Sequence, residues 1–253
     1  MRAARALALA VLARANTSEL FYVHIPKTGG SSIVASMADG ADAWATVFGL
    51  GYDGADAWAT VYPWTRERGA LCVHVDAAGA RHTWSNNNGR DHIAPDDLIA
   101  CGHVPADFFE GKEVLCTVRD PFERFVSEVN QRAALAPATS VGDVMRACEA
   151  ARPANFSFWA HCRPQAAYAA RCTTLVLTRD IDERGAAALA RHGVALRRAR
   201  VNASVRRYAT RDLSEAARAW IRAFYASDFA LVERAEQERA ACSASDVDPA
   251  RAG

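Results

Sequence analysis

The feature that most constrains this chain is a short apolar run that ends in a proline and a pair of glycines. Leu20–Ile25 is followed by Pro26, by Gly29 and Gly30, and then by Ser31–Met37, which has helical character. A strand, a tight loop and a helix in that order open an α/β fold. Backbone N–H groups of such a loop and of the following helix converge where an anion can bind. The sequence therefore predicts an anion-binding loop.

Further apolar runs have the length of buried parallel strands, and segments of helical periodicity alternate with them. At 253 residues, of which 51% are hydrophobic, the chain is long enough to bury one large core. This alternation predicts an α/β fold: a P-loop-like doubly wound parallel sheet flanked by helices, in a single domain. The predicted strands are Leu71–Val75, Glu113–Val118 and Thr173–Leu177, and the predicted helices are Pro121–Leu135, Glu183–His192 and Ser214–Tyr225.

The two ends of the chain differ from this domain. Residues 1–17 contain two early arginines and a short apolar run, a weak signal-peptide pattern that is too short to span a bilayer. We interpret them as a signal sequence or the remnant of a membrane anchor. The domain is predicted to span residues 18–240, and residues 241–253 are predicted to be a disordered tail.

A tandem repeat interrupts the pattern after the first helix. Asp39–Val47 recurs without change as Asp53–Val61. Two copies are too few for a solenoid, which needs about three repeats to bury a core. We interpret residues 39–66 as a local insertion, and we expect its Trp44 and Trp58 to pack against the domain, with the lining of a sugar-binding cleft as the alternative.

A second motif follows a predicted strand end. Asp120 is a good N-cap, and apolar residues recur after it at helical spacing. Arg119 is thereby placed at the carboxyl end of a strand, where α/β sheets bind ligands. Arg124 and Ser127 share one helix face. An arginine and a hydroxyl near this strand end predict a phosphate site, and the alternative is local pairing of each residue.

Together the two motifs resemble those of the Golgi carbohydrate sulfotransferases, particularly the branch that contains heparan sulfate 2-O-sulfotransferase. The loop is similar to that family's 5′-phosphosulfate-binding loop, and Arg119–Ser127 is similar to its 3′-phosphate-binding motif. The resemblance implies that 3′-phosphoadenosine-5′-phosphosulfate (PAPS) is a co-substrate. It implies that the phosphosulfate is bound by Lys27, Thr28, Gly29, Gly30, Ser31 and Ser32, and the 3′-phosphate by Arg119 and Ser127.

A third segment, Cys101–Val104, resembles the His-Gly-His-Val segment of the 2-O-sulfotransferases. His103 occupies the place of that family's catalytic base, whereas Cys101 stands where the family has its first histidine. The resemblance extends over roughly residues 20–235 and includes the superfamily's C-terminal pattern. It implies sulfuryl transfer without a metal, in which His103 deprotonates the acceptor hydroxyl and Lys27 stabilises the leaving phosphate.

The overall charge says little about partners. A formal net charge of +1 gives no reason to expect nucleic acid. The eight arginines of residues 184–211 suit an anionic glycosaminoglycan and a solvated helix face equally well.

The resemblance implies a glycan acceptor, a location in the Golgi or secretory lumen, and membrane association through an N-terminal anchor. Sequons at Asn16, Asn155 and Asn202 would permit glycosylation in that lumen.

The seven cysteines are too few for a disulfide scaffold, and their odd number leaves at least one unpaired in a monomer. We expect Cys72 and Cys116 to be buried thiols, and we prefer Cys162 and Cys172 as a disulfide pair. No spacing of zinc ligands is present in the sequence, so no structural metal is expected.

The histidines other than His103 are not expected to act as the base. They are predicted to lie on strands (His24 and His74), in surface loops (His82 and His92), or outside any constellation of functional residues (His161 and His192). Of these, His24 is close enough to the loop to support it from behind.

Two other classes of function remain open at this point. A P-loop kinase of a small metabolite would share the strand, loop and helix. Against it, Lys27 precedes the glycines instead of following them in the order GxxxxGK[ST], and no clear aspartate is placed to hold Mg²⁺. The non-enzymatic alternative is a catalytically inactive relic that binds a nucleotide or a glycan.

Overall fold

The computed structural model describes residues 20–33, 36, 45–48, 71–75, 81–85, 92, 94–100, 104–151, 156–196 and 206–245. Several predicted features lie outside these residues. They are the N-terminal segment 1–17, most of the repeat 39–66, Cys101, His103, and the three sequons at Asn16, Asn155 and Asn202.

The described residues form a mixed α/β structure with a small open parallel sheet flanked by helices. The strands are β1 (Leu20–Val23), β2 (Ala45–Phe48), β3 (Leu71–Val75), β4 (Arg81–Ser85), β5 (Glu113–Val118) and β6 (Thr174–Leu177). The α-helices are α1 (Pro95–Ala100), α2 (Pro121–Leu135), α3 (Val141–Ala150), α4 (Phe156–Cys162), α5 (Gln165–Tyr168), α6 (Ala186–Ala190), α7 (Glu215–Phe224) and α8 (Ala226–Ser245).

The main sheet has the strand order β2-β1-β5-β6, and all neighbouring strands in it are parallel. Leu20 lies opposite Glu113, and Val23 lies opposite Cys116. Since the strands are parallel, the chain leaves β1, β5 and β6 at the same edge of the sheet. The loop after β1 and the motif after β5 therefore lie side by side.

The strand predicted at Leu71–Val75 is present, but the prediction that it is parallel to the others is wrong. This segment forms β3 and pairs antiparallel with β4 in a separate sheet of two strands. The connection spans only residues 76–80, whereas a parallel crossover needs a dozen residues or more. The place beside β1 is taken instead by β2, which lies in the first copy of the repeat and extends one residue beyond it.

Alternate side chains of β1 point to opposite faces of the sheet, and both faces are buried. Phe21 and Val23 pack into a core to which α1, α5 and α8 contribute. Leu20 and Tyr22 pack into a second core with residues of α6 and of the helical turn that begins at Ser31. Burial of both faces explains why β1 is a continuous apolar run without polar alternation.

Helix α2 begins and ends at the predicted residues. The side chain of Asp120 caps it by accepting a hydrogen bond from the N–H of Glu123 at 3.0 Å. Phe125 and Val129 are buried in a third core, which α2 shares with α3, α4 and α7. Helix α7 occupies the segment predicted at Ser214–Tyr225. Cap and apolar spacing, both local signals, were sufficient to locate these two helices.

Cys116 is buried as predicted but is not a thiol, and the preferred pair of Cys162 with Cys172 is wrong. Cys116 is bonded to Cys172, and Cys148 to Cys162. The Cα–Cα distances of 5.9 and 5.2 Å suit disulfides. Cys116 lies on β5 beside the segment that leads into β6, so strand pairing brings it to Cys172. The adjacency of strands and helices, which the sequence does not state, decides the pairing.

Two disulfides are compatible with a secreted or lumenal protein. Among the described helices, none is both long enough and apolar enough to cross a bilayer.

Candidate functional site

The loop between β1 and the helical residues at Ser31 has an unusual backbone. Lys27 has a φ of 67° and Gly29 a φ of 81°. Among the described residues other than glycine, only Lys27 has a positive φ. This conformation costs an L-residue about 1 to 2 kcal/mol, so surrounding contacts must hold it. Such strain concentrates at functional sites, and the sequence contained no signal for it.

Close packing explains the two glycines. A Cβ atom on Gly30 would lie 2.1 Å from the Tyr22 hydroxyl oxygen and 2.6 Å from Cδ2 of His24. A Cβ on Gly29 would lie 2.9 Å from Cδ1 of Ile181. The loop is therefore pressed against β1 on one side and against the turn after β6 on the other, and side chains at these positions would lift it away.

Thr28 anchors the loop from below. Its side chain is fully buried, and its hydroxyl donates to the carbonyl oxygen of Ile25 at 2.9 Å. Its carbonyl oxygen accepts a hydrogen bond from the hydroxyl of Thr178 at 2.8 Å. The Thr28 hydroxyl is thus occupied by hydrogen bonds within the protein. The other loop residues that were predicted to bind the ligand are at least partly exposed, apart from Gly30: they are Lys27, Gly29, Ser31 and Ser32.

Lys27 carries the positive charge of the loop. No ion pair joins its ammonium to a carboxylate of the described residues. Burial lowers the pKa of Lys27, and the charges of Arg119, Arg132 and Arg124 lower it further, whereas Glu128 raises it. A partly buried cation among cations gains most from an incoming anion.

Arg119 joins the second motif to the loop. Its Nη1 donates to the carbonyl oxygen of Lys27 at 3.4 Å, so residues 92 positions apart meet here. Its Nε donates to Glu123 at 3.2 Å, and its side chain is 27% exposed. Ser127, also partly exposed, follows Glu123 by one turn of α2 and so lies on the same face of the helix.

Arg124 has a different environment from Arg119. It is only 3% exposed, and its Nε donates to the carbonyl oxygen of Pro26 at 3.0 Å. Its Nη2 donates to two further carbonyl oxygens, those of His161 and Arg163, each at 3.0 Å. The Arg124 guanidinium is therefore occupied by hydrogen bonds within the protein. Arg119 is the arginine of this motif that faces solvent.

A row of three imidazoles, His24, His92 and His161, lies behind the loop. Neighbouring ring centroids are 4.9 Å apart, first between His24 and His92 and then between His92 and His161. At the end of the row, Nδ1 of His161 is 2.7 Å from Oε2 of Glu128. The assignment of His92 to a surface loop is therefore wrong, because it is 9% exposed, and so is the prediction that His161 has no constellation around it.

Burial and charge shift the pKa values of His24 and Glu128, at the two ends of this row. Burial lowers the pKa of His24 well below its usual value, and the charges of His92, His161 and Lys27 act in the same direction. Burial alone would raise the pKa of Glu128, but the hydrogen bond and charge of His161 and the charge of Arg132 outweigh it and bring the pKa to about 2. Glu128 is thus an ionised carboxylate at neutral pH, in contact with His161.

The sequence missed this row because its members are spread over 137 positions and each is unremarkable alone. Within the described part of the chain, no group of three or more His, Cys, Asp or Glu side chains has the arrangement of a metal site. No family model matches the sequence, and it has no match among curated proteins or solved structures. The function is therefore inferred from the site residues and from the motifs that carry the resemblance.

Proposed function

We propose that this protein is a sulfotransferase that moves the sulfuryl group of PAPS to a hydroxyl of a carbohydrate acceptor. The observation that carries the proposal is the contact between Arg119 and the main chain of Lys27 at the carboxyl edge of the sheet. The two motifs that resemble the phosphosulfate loop and the 3′-phosphate site are neighbours in space. PAPS carries anions at both its 5′ and 3′ ends, and two adjacent cationic elements suit such a ligand. The P-loop-like fold is part of this proposal.

In this proposal Lys27 acts on the 5′ side. The acceptor oxygen attacks sulfur while the bond from sulfur to the bridging phosphate oxygen breaks, and PAP, the desulfated nucleotide, leaves. Negative charge grows on that phosphate oxygen. A preorganised ammonium and loop N–H groups stabilise such charge. Lys27 suits this role because it is partly buried and has no ion pair with a described carboxylate.

Arg119 and Ser127 would bind the 3′-phosphate. A guanidinium binds phosphate through charge-assisted hydrogen bonds, and a serine hydroxyl adds a further donor. Both side chains are partly exposed. Thr28 contributes by holding the loop from inside, since its hydroxyl is occupied by protein contacts.

The acceptor side of the proposal depends on His103, which would take the proton of the attacking hydroxyl on an imidazole nitrogen. The proposed acceptor is a glycan, and the proposed location is the Golgi or secretory lumen, with which the two disulfides are compatible.

Ligand binding is the first test. PAP is expected to raise the melting temperature of the wild-type protein, whereas ATP with Mg²⁺ is not. Lys27→Ala and Arg119→Ala should each weaken PAP binding about 10- to 100-fold, the effect of losing a contact to a charged group of about 1.5 to 3 kcal/mol. Lys112→Ala and Arg146→Ala, at the other lysine and at an arginine whose side chain is 72% exposed, are the matched controls. Stabilisation by ATP alone would reject the sulfotransferase and favour the kinase.

Group transfer is the second test. Sulfate from labelled PAPS should appear on a member of a glycan panel, and mass detection gives the position. His103→Ala should abolish transfer and leave PAP binding intact. Transfer that survives this change would remove His103 as the base, and PAP binding without transfer to any glycan would favour the inactive relic.

A further inference from the structure

Arg124 is the centre of a buried network that involves both anion-binding elements. Its guanidinium holds the carbonyl oxygen of Pro26, the residue before Lys27. The same guanidinium lies 3.8 Å from the carboxylate of Asp228, measured from Nη1 to Oδ2, and its carbon is 5.6 Å from the ring centroid of Tyr225. Asp228 belongs to α8, the C-terminal helix, and is fully buried.

Asp228 continues the network toward Arg119. Its Oδ1 accepts a hydrogen bond from the N–H of Ala166 at 2.9 Å, and its Oδ2 accepts one from Nε2 of Gln165 at 3.4 Å. Gln165, also fully buried, donates from Nε2 to the carbonyl oxygen of Arg119 at 2.8 Å. Its Oε1 accepts from the N–H of Arg119 at 2.9 Å. The Gln165 side chain is thereby hydrogen-bonded to both the N–H and the carbonyl oxygen of Arg119.

These contacts close into a ring. Arg124, Asp228, Gln165 and Arg119 are linked in turn, and the Arg119 side chain reaches the Lys27 carbonyl oxygen. The chain from Lys27 back to Pro26, whose carbonyl oxygen accepts from Arg124, closes the ring. We call this set, with Lys27, the polar ring. Its members come from the loop, from the end of β5, from α2, from α5 and from α8. The ring sets the position of Lys27 relative to Arg119.

The charges of the ring depend on one another. Burial raises the pKa of Asp228, whereas the charge of Arg124 lowers it. A buried charge that loses its partner is strongly destabilised, and nearby groups rearrange to bring it water or another partner. The rearrangement would reach the loop directly, because Arg124 holds the Pro26 carbonyl oxygen.

We propose that Arg124 and Asp228 are positioning residues that fix Lys27 and Arg119 as one binding unit for a doubly anionic nucleotide. Helix α8 thereby supports the binding site from the interior, through the buried carboxylate of Asp228. The proposal rests on the proposed function for the identity of the ligand, PAP or PAPS. The contacts that support it are independent of that identity.

The test compares Asp228→Asn with Glu233→Gln, an exposed acid on the same helix, in the full chain. Asparagine has the size of aspartate but removes the charge opposite Arg124. The dissociation constant of PAP should rise at least tenfold in D228N and stay within twofold of wild type in E233Q. KM for PAPS should rise, and kcat should fall as well, because a displaced Lys27 also stabilises less of the charge that grows on the leaving phosphate in the transition state. A PAP affinity in D228N within threefold of wild type would overturn the proposal.

A double-mutant cycle separates positioning from a general loss of stability. If Asp228 acts through the position of Lys27, D228N should weaken PAP binding much less in the Lys27→Ala background than in wild type. Equal effects in both backgrounds would overturn the proposal. Should D228N not fold, Gln165→Met, which removes the clamp on the Arg119 main chain at similar volume, takes its place under the same criteria. Failure of wild type to bind PAP would instead reject the proposed function.

Discussion

The hydroxyl oxygen of Thr28 lies 2.8 Å from that of Thr117, and this contact joins the loop to the interior of β5. Thr117 is fully buried and is also 2.8 Å from the hydroxyl oxygen of Tyr22 on β1. Three hydroxyl groups thus form a short chain beneath the loop. Because Thr28 donates to the Ile25 carbonyl oxygen, Thr117 can donate to Thr28 and accept from Tyr22, so that each hydroxyl proton has an acceptor within the protein.

Thr117→Val tests this chain. Valine keeps the shape of threonine but removes the hydroxyl, so the Tyr22 hydroxyl is left in the interior without its partner. An unsatisfied buried hydroxyl costs about 1 to 3 kcal/mol, and we expect the free energy of unfolding in urea to fall by that amount. Thr174→Val, at a partly exposed hydroxyl that donates to Glu113, is the control and should change stability much less. Equal stability of wild type and T117V would show that the chain does not support the fold.

Gly30→Ala tests the close packing of the loop. The added methyl would lie 2.1 Å from the Tyr22 hydroxyl oxygen, so the loop or the strand must move. We expect a lower melting temperature and loss of PAP binding. Gly142→Ala on α3 is the matched control, because its nearest neighbour is the far end of Arg146 at 3.4 Å. That control should be neutral or stabilising by up to about 1 kcal/mol, and similar behaviour of both variants would contradict the packing argument.

Glu123→Gln tests whether Arg119 is restrained by its acidic neighbour. Glu123 is 3.2 Å from Arg119, and an incoming phosphate would compete with it for the guanidinium. Exposed ion pairs contribute about 0.2 to 1 kcal/mol, so we expect E123Q to bind PAP about 1.4- to fivefold more tightly at low salt. The gain should shrink as salt is added. Weaker binding measured by calorimetry would indicate that Glu123 orients Arg119 for the ligand.

The lowered pKa of His24 predicts a loss of stability in acid. The pKa of His24 in the folded protein is well below 6.5, its value in an unfolded chain, so only the unfolded state takes up this proton as pH falls. The free energy of unfolding should therefore decline below pH 6.5. Glu128 makes stability depend on pH in a second, more acidic range. Its contribution to the free energy of unfolding is present above pH 4.5 and is lost as pH falls toward its folded pKa of about 2.

Urea unfolding between pH 4 and pH 8 measures the first range. His24→Gln should flatten the dependence of stability on pH below about 6.5. The groups that face His24, namely His92, His161 and Lys27, and Glu128 at the end of the row, are left in place by this substitution. A variant with the same slope as wild type would show that His24 does not resist protonation in the fold.

The accuracy of prediction from the sequence differed between elements of the fold. Helix α2, with its Asp120 cap, and the strands β1, β5 and β6 were predicted within a residue or two, because caps and apolar periodicity are properties of neighbouring residues. The strand at Leu71–Val75 was correct as a strand, but its pairing was wrong. Pairing depends on which strands meet, and a continuous apolar run is compatible with several partners.

The sequence by itself determined the strand, the loop and the helical turn around Lys27, and it placed Arg119 at a strand end. Two cationic elements on one edge of a parallel sheet follow from this. Each follows from local rules of turns, caps and chain direction. Only the tertiary structure decided that Arg124 donates a hydrogen bond to the loop backbone and that Asp228 of α8 lies opposite its charge. The bond between Cys116 and Cys172 was likewise decided by the tertiary structure. The reason is physical: buried charges and cysteines take their partners from whichever segments the packing of the cores brings next to them, however distant in sequence.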